Sequence, residues 1–212
     1  MPRRLWAALK REWMIYHMGL PEFRFMFDPA PANEWVSLDC ETTGLNVGKD
    51  EIISIGAVRI VGNRIMTSER FEVLVRPEHG VSAESVKIHR LREQDVAQGL
   101  PIDEAMKQLM RFIGSRPLVG YFLEFDVAML YKALFPMLGM GLPQPKIEVS
   151  GMYYDYKYRQ QAAHLRQDAP QIDLRFDTMM ADLGLPLRDA HDAVNDAVMA
   201  ALAFIKLRQL KG

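Results

Sequence analysis

The chain's 212 residues suit one domain, or one domain with a small extension; 49% are apolar and 25% charged, enough for a sizeable core. No apolar run approaches the roughly 20 residues of a membrane helix, and the single cysteine, Cys40, excludes an internal disulfide and agrees with a reducing, cytoplasmic setting. The formal net charge of −1 excludes a whole-chain basic field, so an anionic polymer would have to be held by local patches or bound cations.

Met1 to Arg11 is basic and partly apolar. It lacks the apolar stretch and cleavage site of a secretory signal, and it contains no serine, which argues against a transit peptide. Leu5, Leu9, Trp13 and Tyr16, with Trp6 alongside, recur at near-helical spacing over residues 5 to 18, and Arg3, Arg4, Lys10 and Arg11 supply charge. The spacing predicts an amphipathic helix whose stripe packs on the main domain or on a second subunit rather than on a membrane or nucleic acid. Gly19-Leu-Pro21 ends it and Pro29-Ala-Pro31 marks a linker, so residues 1 to 33 read as a helical extension and 34 to 212 as the main domain.

Trp35 to Glu41, Glu51 to Val61 and Arg64 to Arg76 read as three strands, with Gly62-Asn63 as a tight turn between the last two; short connections predict an antiparallel meander that Pro77 stops. Helices are expected over Ala83 to Arg90 and Ile102 to Ile113, a strand over Leu118 to Tyr121 and a helix over Phe125 to Leu134. A fifth strand over Lys146 to Val149 precedes helices near Met152 to His164, Leu174 to Leu183 (stopped by Gly184) and Asp192 to Leu210. The order predicts an α/β fold, a mixed five-stranded sheet with helices on its faces.

Five residues in three distant segments carry chemistry. Asp39 and Glu41 are two apart on a strand, so both carboxylates share a face and Cys40 turns into the core. Alone, such a pair is as well explained by solvent or a basic partner, and Asp126 alone is better explained as a first-turn or capping acid. Asp196 is sharper: it lies beside the apolar stripe Val194, Ala197, Val198, Ala201, Leu202 and Ile205, while Asp192 already suits the N-cap role. His191 sits just outside that helix. Each carboxylate interrupts or ends an apolar stretch, which is costly unless it is paired or binds a metal. Oxygen-only ligands suit Mg²⁺ or Mn²⁺, and four carboxylates offset two dications, a site suited to phosphodiester chemistry. Histidine is the one residue type in these motifs whose ordinary pKa suits a general base near neutrality.

Taken jointly, Asp39-x-Glu41 continuing into Thr42-Thr43-Gly44-Leu45, then Phe125-Asp126, then His191-x4-Asp196, resemble the DEDDh group of 3′–5′ exonucleases, which includes the epsilon proofreading subunit of bacterial DNA polymerase III and ribonuclease T. The resemblance runs from about Trp35 to Lys211 and takes in Glu51-Ile-Ile-Ser-Ile-Gly-Ala-Val-Arg59 and Leu183-Gly-Leu185. It implies a ribonuclease-H-like fold and stepwise release of nucleoside 5′-monophosphates from single-stranded 3′ ends, with DNA favoured over RNA. It also implies Asp39, Glu41, Asp126 and Asp196 as ligands of two divalent cations and His191 as general base. Thr42, Thr43, Gly44 and Leu45 would line the 3′-terminal nucleotide; His89 reads equally as a neighbour of that nucleotide and as a surface helix residue. The family often has His-Asn where this chain has Tyr121-Phe122. The chain stops soon after the last helix without the epsilon subunit's polymerase-binding tail, so a stand-alone or differently tethered enzyme is expected, with a homodimer or partner contact through the N-terminal helix. Tyr153, Tyr154, Tyr156 and Tyr158, interleaved with Lys157 and Arg159, suit either strand binding or inward packing, the latter slightly favoured. The rival readings are a non-catalytic binding module and an enzyme of small nucleotides.

Overall fold

A computed structural model describes residues 2–81, 83–161, 172–188 and 191–210. Five strands form one sheet: β1 (Glu34–Thr42), β2 (Ile52–Val61), β3 (Arg64–Leu74), β4 (Leu118–Gly120) and β5 (Lys146–Glu148), in the order β3-β2-β1-β4-β5. The first three are antiparallel neighbours, and β4 pairs parallel to both β1 and β5. The hairpin between β2 and β3 closes over Gly62-Asn63, where Gly62 takes φ +61°, a conformation that costs glycine nothing.

The composition of β2 explains its place. Ile52 to Val58 and Ile60 are all buried, the near-continuous apolar run of a strand covered on both faces. One face is covered by α4 (Ile102–Ile113) and α5 (Leu123–Leu138). Ala105, Met106, Leu109, Met110 and Ile113 of α4 repeat at helical spacing and pack with Val36, Leu38 and Cys40 of β1. The other face is covered by α8 (Ala193–Leu210), which crosses β1, β2, β3 and β4 and is buried at Ala197, Ala200, Ala201 and Ala203. Small side chains let that helix lie close to the sheet. α6 (Val149–Gln160) and α7 (Phe176–Asp182) complete this layer. Two short helices, α2 (Ala83–His89) and α3 (Glu93–Val96), connect β3 to α4.

At the N-terminus, α1 (Pro2–Tyr16) is followed by a 3₁₀ helix, Pro21–Phe27, which the sequence reading did not anticipate. Phe23 is fully buried and, with Met18 and Met26, joins the core under α4 and α5. The stripe of α1 does not pack on the main domain, one of its two expected partners. Trp6, Leu9, Trp13 and Tyr16 stay exposed, Tyr16 to 83%, while Met14 on another side of the helix meets the core. The chain's own core offers those aromatic residues no cover.

Candidate active site

The acidic residues are assembled by backbone geometry. Asp39 and Glu41 leave β1 on one face, and Cys40 between them is buried on the other. Opposite Asp39 in β2 stands Gly56. A Cβ built there would lie 2.2 Å from the carbonyl carbon of Ala193 and 2.3 Å from the amide nitrogen of Val194. The bare backbone therefore admits the first turn of α8 directly onto the sheet, and that turn carries Asp196. A glycine inside an otherwise apolar strand is the sequence signal for such an approach, and the sequence reading passed over it.

The start of α8 is built as its sequence suggested. Asp192 caps it, its Oδ1 accepting from the Asn195 amide at 2.9 Å. His191 precedes the helix, exposed and left-handed at φ +65°, and its amide donates to Asp196 Oδ2 at 3.1 Å. Asp196 Oδ1 is buried with no protein partner. Oxygens of Asp39, Glu41 and Asp196 lie within 4.8 Å of one another. Asp126 joins from the first turn of α5, buried at 4% exposure, with Oδ1 accepting from the Cys40 amide at 2.9 Å. The first-turn placement of Asp126 is thus real, and its carboxylate also reaches across to β1.

Electrostatics mark the cluster as unsatisfied without a counter-charge. Burial pushes Asp39 well above the usual carboxylate range, reinforced by the charges of Asp126, Asp196 and Glu41. Burial, then the charges of Asp196 and Asp192, raises Glu41 to about 7. Asp126 rises to about 8 through burial, in spite of the Cys40 amide. Asp196 rises to about 6 through burial, offset in part by its bond from the His191 amide. Three carboxylates with oxygens this close, one of them a buried and unpartnered oxygen, fit a divalent cation, with Asp126 beside the group rather than within it.

A cavity of about 330 Å³ opens on this cluster, lined by Asp39, Tyr121, Phe176, Asp177, Leu187, His191, Asp196 and Met199. Tyr121 stacks on Phe176 at 4.4 Å between centroids. The larger cavity, about 530 Å³, lies among Ile52, Met129, Lys132 and Pro136 and holds none of the five motif residues. Glu51, Glu78 and His79 form a second acidic group, but Glu51 already accepts from the amides of Glu78 and His79.

The other sequence-selected residues fare differently. Thr42 Oγ1 donates to the Gly44 carbonyl at 2.7 Å and Thr43 Oγ1 accepts from the Glu51 amide at 3.0 Å, so both hydroxyls fold the loop after β1. Leu45 projects from it, 85% exposed. His89 is buried near His191; its Nδ1 accepts from the Leu91 amide at 3.0 Å and its Nε2 has no protein partner. Of the tyrosines in α6, Tyr153 is buried and donates to Asp182 at 3.0 Å, where Lys157 also pairs. Tyr154 and Tyr158 stack on each other; the expected end of this helix at His164 lies outside the described residues. A residue that sequence reasoning missed is Glu148, which caps α6 and also receives the amides of Phe122 and Leu123, fixing where α5 begins.

Residues 36–204 match the family described as exonuclease. The chain belongs to the exonuclease family. The match takes in all three motif segments of the DEDDh pattern that the sequence resembled. The PolC-type DNA polymerase III of Caldanaerobacter subterraneus is 30% identical to this exonuclease-family chain over 189 residues, covering 89% of the chain and 12% of the relative. The DNA polymerase III subunit epsilon-like protein of Rhodobacter capsulatus is 30% identical over 174 residues, 82% of the chain and 23% of the relative. The chain thus spans well under two thirds of either protein. The epsilon subunit of Aquifex aeolicus is 25% identical over 173 residues, 82% of the chain and 79% of the relative. Among solved structures, E. coli exonuclease I in a zinc-bound complex with single-stranded DNA superposes with a TM-score of 0.69 at 16% identity, over 85% of this chain and 41% of that one. Exonuclease X bound to 5′-overhanging duplex DNA gives 0.61 at 22% identity, over 82% and 91%. These superpositions establish the ribonuclease-H-like fold expected from the motifs.

Proposed function

We propose that this chain is a metal-dependent 3′–5′ exonuclease that removes nucleoside 5′-monophosphates one at a time from single-stranded nucleic acid, DNA in preference to RNA. The observation that carries the proposal is the meeting of three carboxylates, Asp39, Glu41 and Asp196, with Asp126 bonded to the Cys40 amide between the first two and Asp196 Oδ1 buried and unpartnered. Asp39, Glu41, Asp126 and Asp196 would hold two divalent cations, Mg²⁺ or Mn²⁺. When bound, these supply charge neutralisation at the scissile phosphate and Lewis acidity for the attacking and leaving oxygens.

The chain's own groups do the rest. Asp126 is oriented by the Cys40 amide, so β1 and α5 hold their carboxylates in fixed relation. His191, pinned through its amide to Asp196, leaves its imidazole exposed to take the proton of the attacking water. Thr42, Thr43, Gly44 and Leu45 receive the 3′-terminal nucleotide, with Leu45 against the base and His89 at the border of that subsite. Residues 34 to 212 form the exonuclease domain and residues 1 to 33 an attachment, in which Trp6, Leu9, Trp13 and Tyr16 face a second copy or a partner protein. Among the described residues no helix is long and apolar enough to cross a membrane; we place the enzyme in the cytoplasm.

The test is a time course on 5′-labelled single-stranded DNA and RNA oligonucleotides with Mn²⁺, beside EDTA and Asp39→Ala controls. A one-nucleotide ladder descending from the 3′ end, absent in both controls, is expected. Turnover confined to dinucleotides would move the assignment to a small-substrate phosphodiesterase, and no turnover at all would remove the enzymatic reading.

A further inference from the structure

Phe122 sits in a conformation that its residue type avoids. It takes φ 52° and ψ 31°, left-handed backbone that bulky side chains rarely adopt, and persists only where the surroundings over-determine it. Here they do. Glu148 Oε1 accepts from the Phe122 amide at 3.1 Å and Oε2 from the Leu123 amide at 2.8 Å, and the same carboxylate takes the amide and hydroxyl of Ser150. The result is a large ring beside Tyr121, which lines the cavity, rather than in the core: Phe122 is 65% exposed. Its one ring neighbour among the described residues is Tyr121, edge to face at 5.0 Å. Tyr121 in turn stacks on Phe176, and its hydroxyl is taken by the Leu174 carbonyl at 2.9 Å. Phe122, Tyr121 and Phe176 thus make a braced aromatic wall, two of whose rings line the cavity that holds Asp39, His191 and Asp196.

We propose that Phe122 stacks on an unpaired base of the substrate strand near its 3′ end and so selects single-stranded over base-paired ends. The inference rests on the nuclease reading of this site. A phenyl ring offers no hydrogen bond, so its preference is for an exposed base face and not for a sequence. A base stacked on Phe122 has left its own neighbour, which a strand does readily and a duplex only after unpairing. Tyr121 is the positioning residue, since its hydroxyl is already used and its ring carries the others.

The experiment pairs kinetics with binding. Wild type, Phe122→Ala, Phe122→Gly and Phe122→Trp are compared on a single-stranded oligonucleotide with 2-aminopurine near the 3′ end, by fluorescence quenching in EDTA and by steady-state turnover in Mn²⁺. Phe122→Ala should raise KM about tenfold or more, with kcat moving much less, and lose most of the quenching; Phe122→Trp should restore both. Phe122→Gly relieves the backbone, so it should melt no lower than wild type and still show the same loss, which separates stacking from folding. Unchanged KM and quenching in both the Ala and the Gly variants would overturn the proposal. Quenching that depends on Phe122 in a protein without turnover would sink the nuclease reading and leave the stacking role standing.

Discussion

Stripping divalent cations and raising the pH should destabilise this protein steeply. Folding raises the carboxyls of Glu41, Asp126 and Asp196 from ordinary values near 4 to about 7, 8 and 6. Between those limits the folded state keeps protons that the unfolded chain has released, so stability is highest in mild acid and falls as pH climbs from about 4 to about 8. Each pH unit spent inside a group's window costs about 1.4 kcal/mol. From pH 5 to pH 8 the windows of Asp126, Glu41 and Asp196 span about three, two and one pH units, so the three groups together should remove on the order of 8 kcal/mol. Asp39 acts in the same sense. That is a large part of the roughly 5–15 kcal/mol holding a domain together, and at about 2–4 °C per kcal/mol it lowers the midpoint by roughly 15–30 °C. Millimolar Mn²⁺ should remove most of the drop, because the cation replaces the protons as counter-charge. Asp126→Asn keeps an acceptor for the Cys40 amide while deleting a charge, so it should melt higher than wild type at pH 8 in EDTA and yet be inactive. Differential scanning fluorimetry across pH 5 to 8.5, with EDTA or Mn²⁺, reads all of this. A midpoint in EDTA that stays level or rises with pH would refute the reasoning.

Three further outcomes are expected. Gly56→Ala sets a methyl against the Ala193–Val194 backbone, so it should cost about 3 kcal/mol or more in urea unfolding and abolish activity by displacing Asp196; a fully active, equally stable variant would break the link between that glycine and the site. His191→Ala should lower kcat by about 10²–10⁴-fold while calorimetric Mn²⁺ binding stays near wild type, and wild-type turnover would dismiss His191 as the base. Glu148→Ala leaves the amides of Phe122, Leu123 and Ser150 without their carboxylate and should lower the unfolding free energy in urea by about 2 kcal/mol or more, with KM rising as the start of α5 shifts.

The strands were legible because their signals are local. Gly62-Asn63 flanked by apolar runs can hardly be anything but a hairpin, and the unbroken apolar run of β2 could only lie buried. The capping of α8 by Asp192 was legible for the same reason, one side chain meeting an amide three residues on. Helix starts were less so: α5 begins at Leu123 instead of Phe125 because Glu148, 25 residues away, supplies its first acceptor. The candidate site could be assembled from the sequence only jointly, since no residue in any one motif states which carboxylate it will meet. The exposure of the α1 stripe was illegible because amphipathic spacing tells which side of a helix is apolar and not whether the chain itself provides a cover. The helix Glu93–Val96 escaped notice because four residues carry no periodicity.

The acidic cluster also has an order in time. Asp39 is made early, Asp126 midway and Asp196 near the end of the described chain, on the helix that shields one face of the sheet. A nascent chain emerging from the ribosome therefore carries β1 and α5, with Asp39, Glu41 and Asp126, before α8 can add Asp196 to the cluster. The cluster is thus assembled in the same step that lays α8 on the sheet and closes that side of the core.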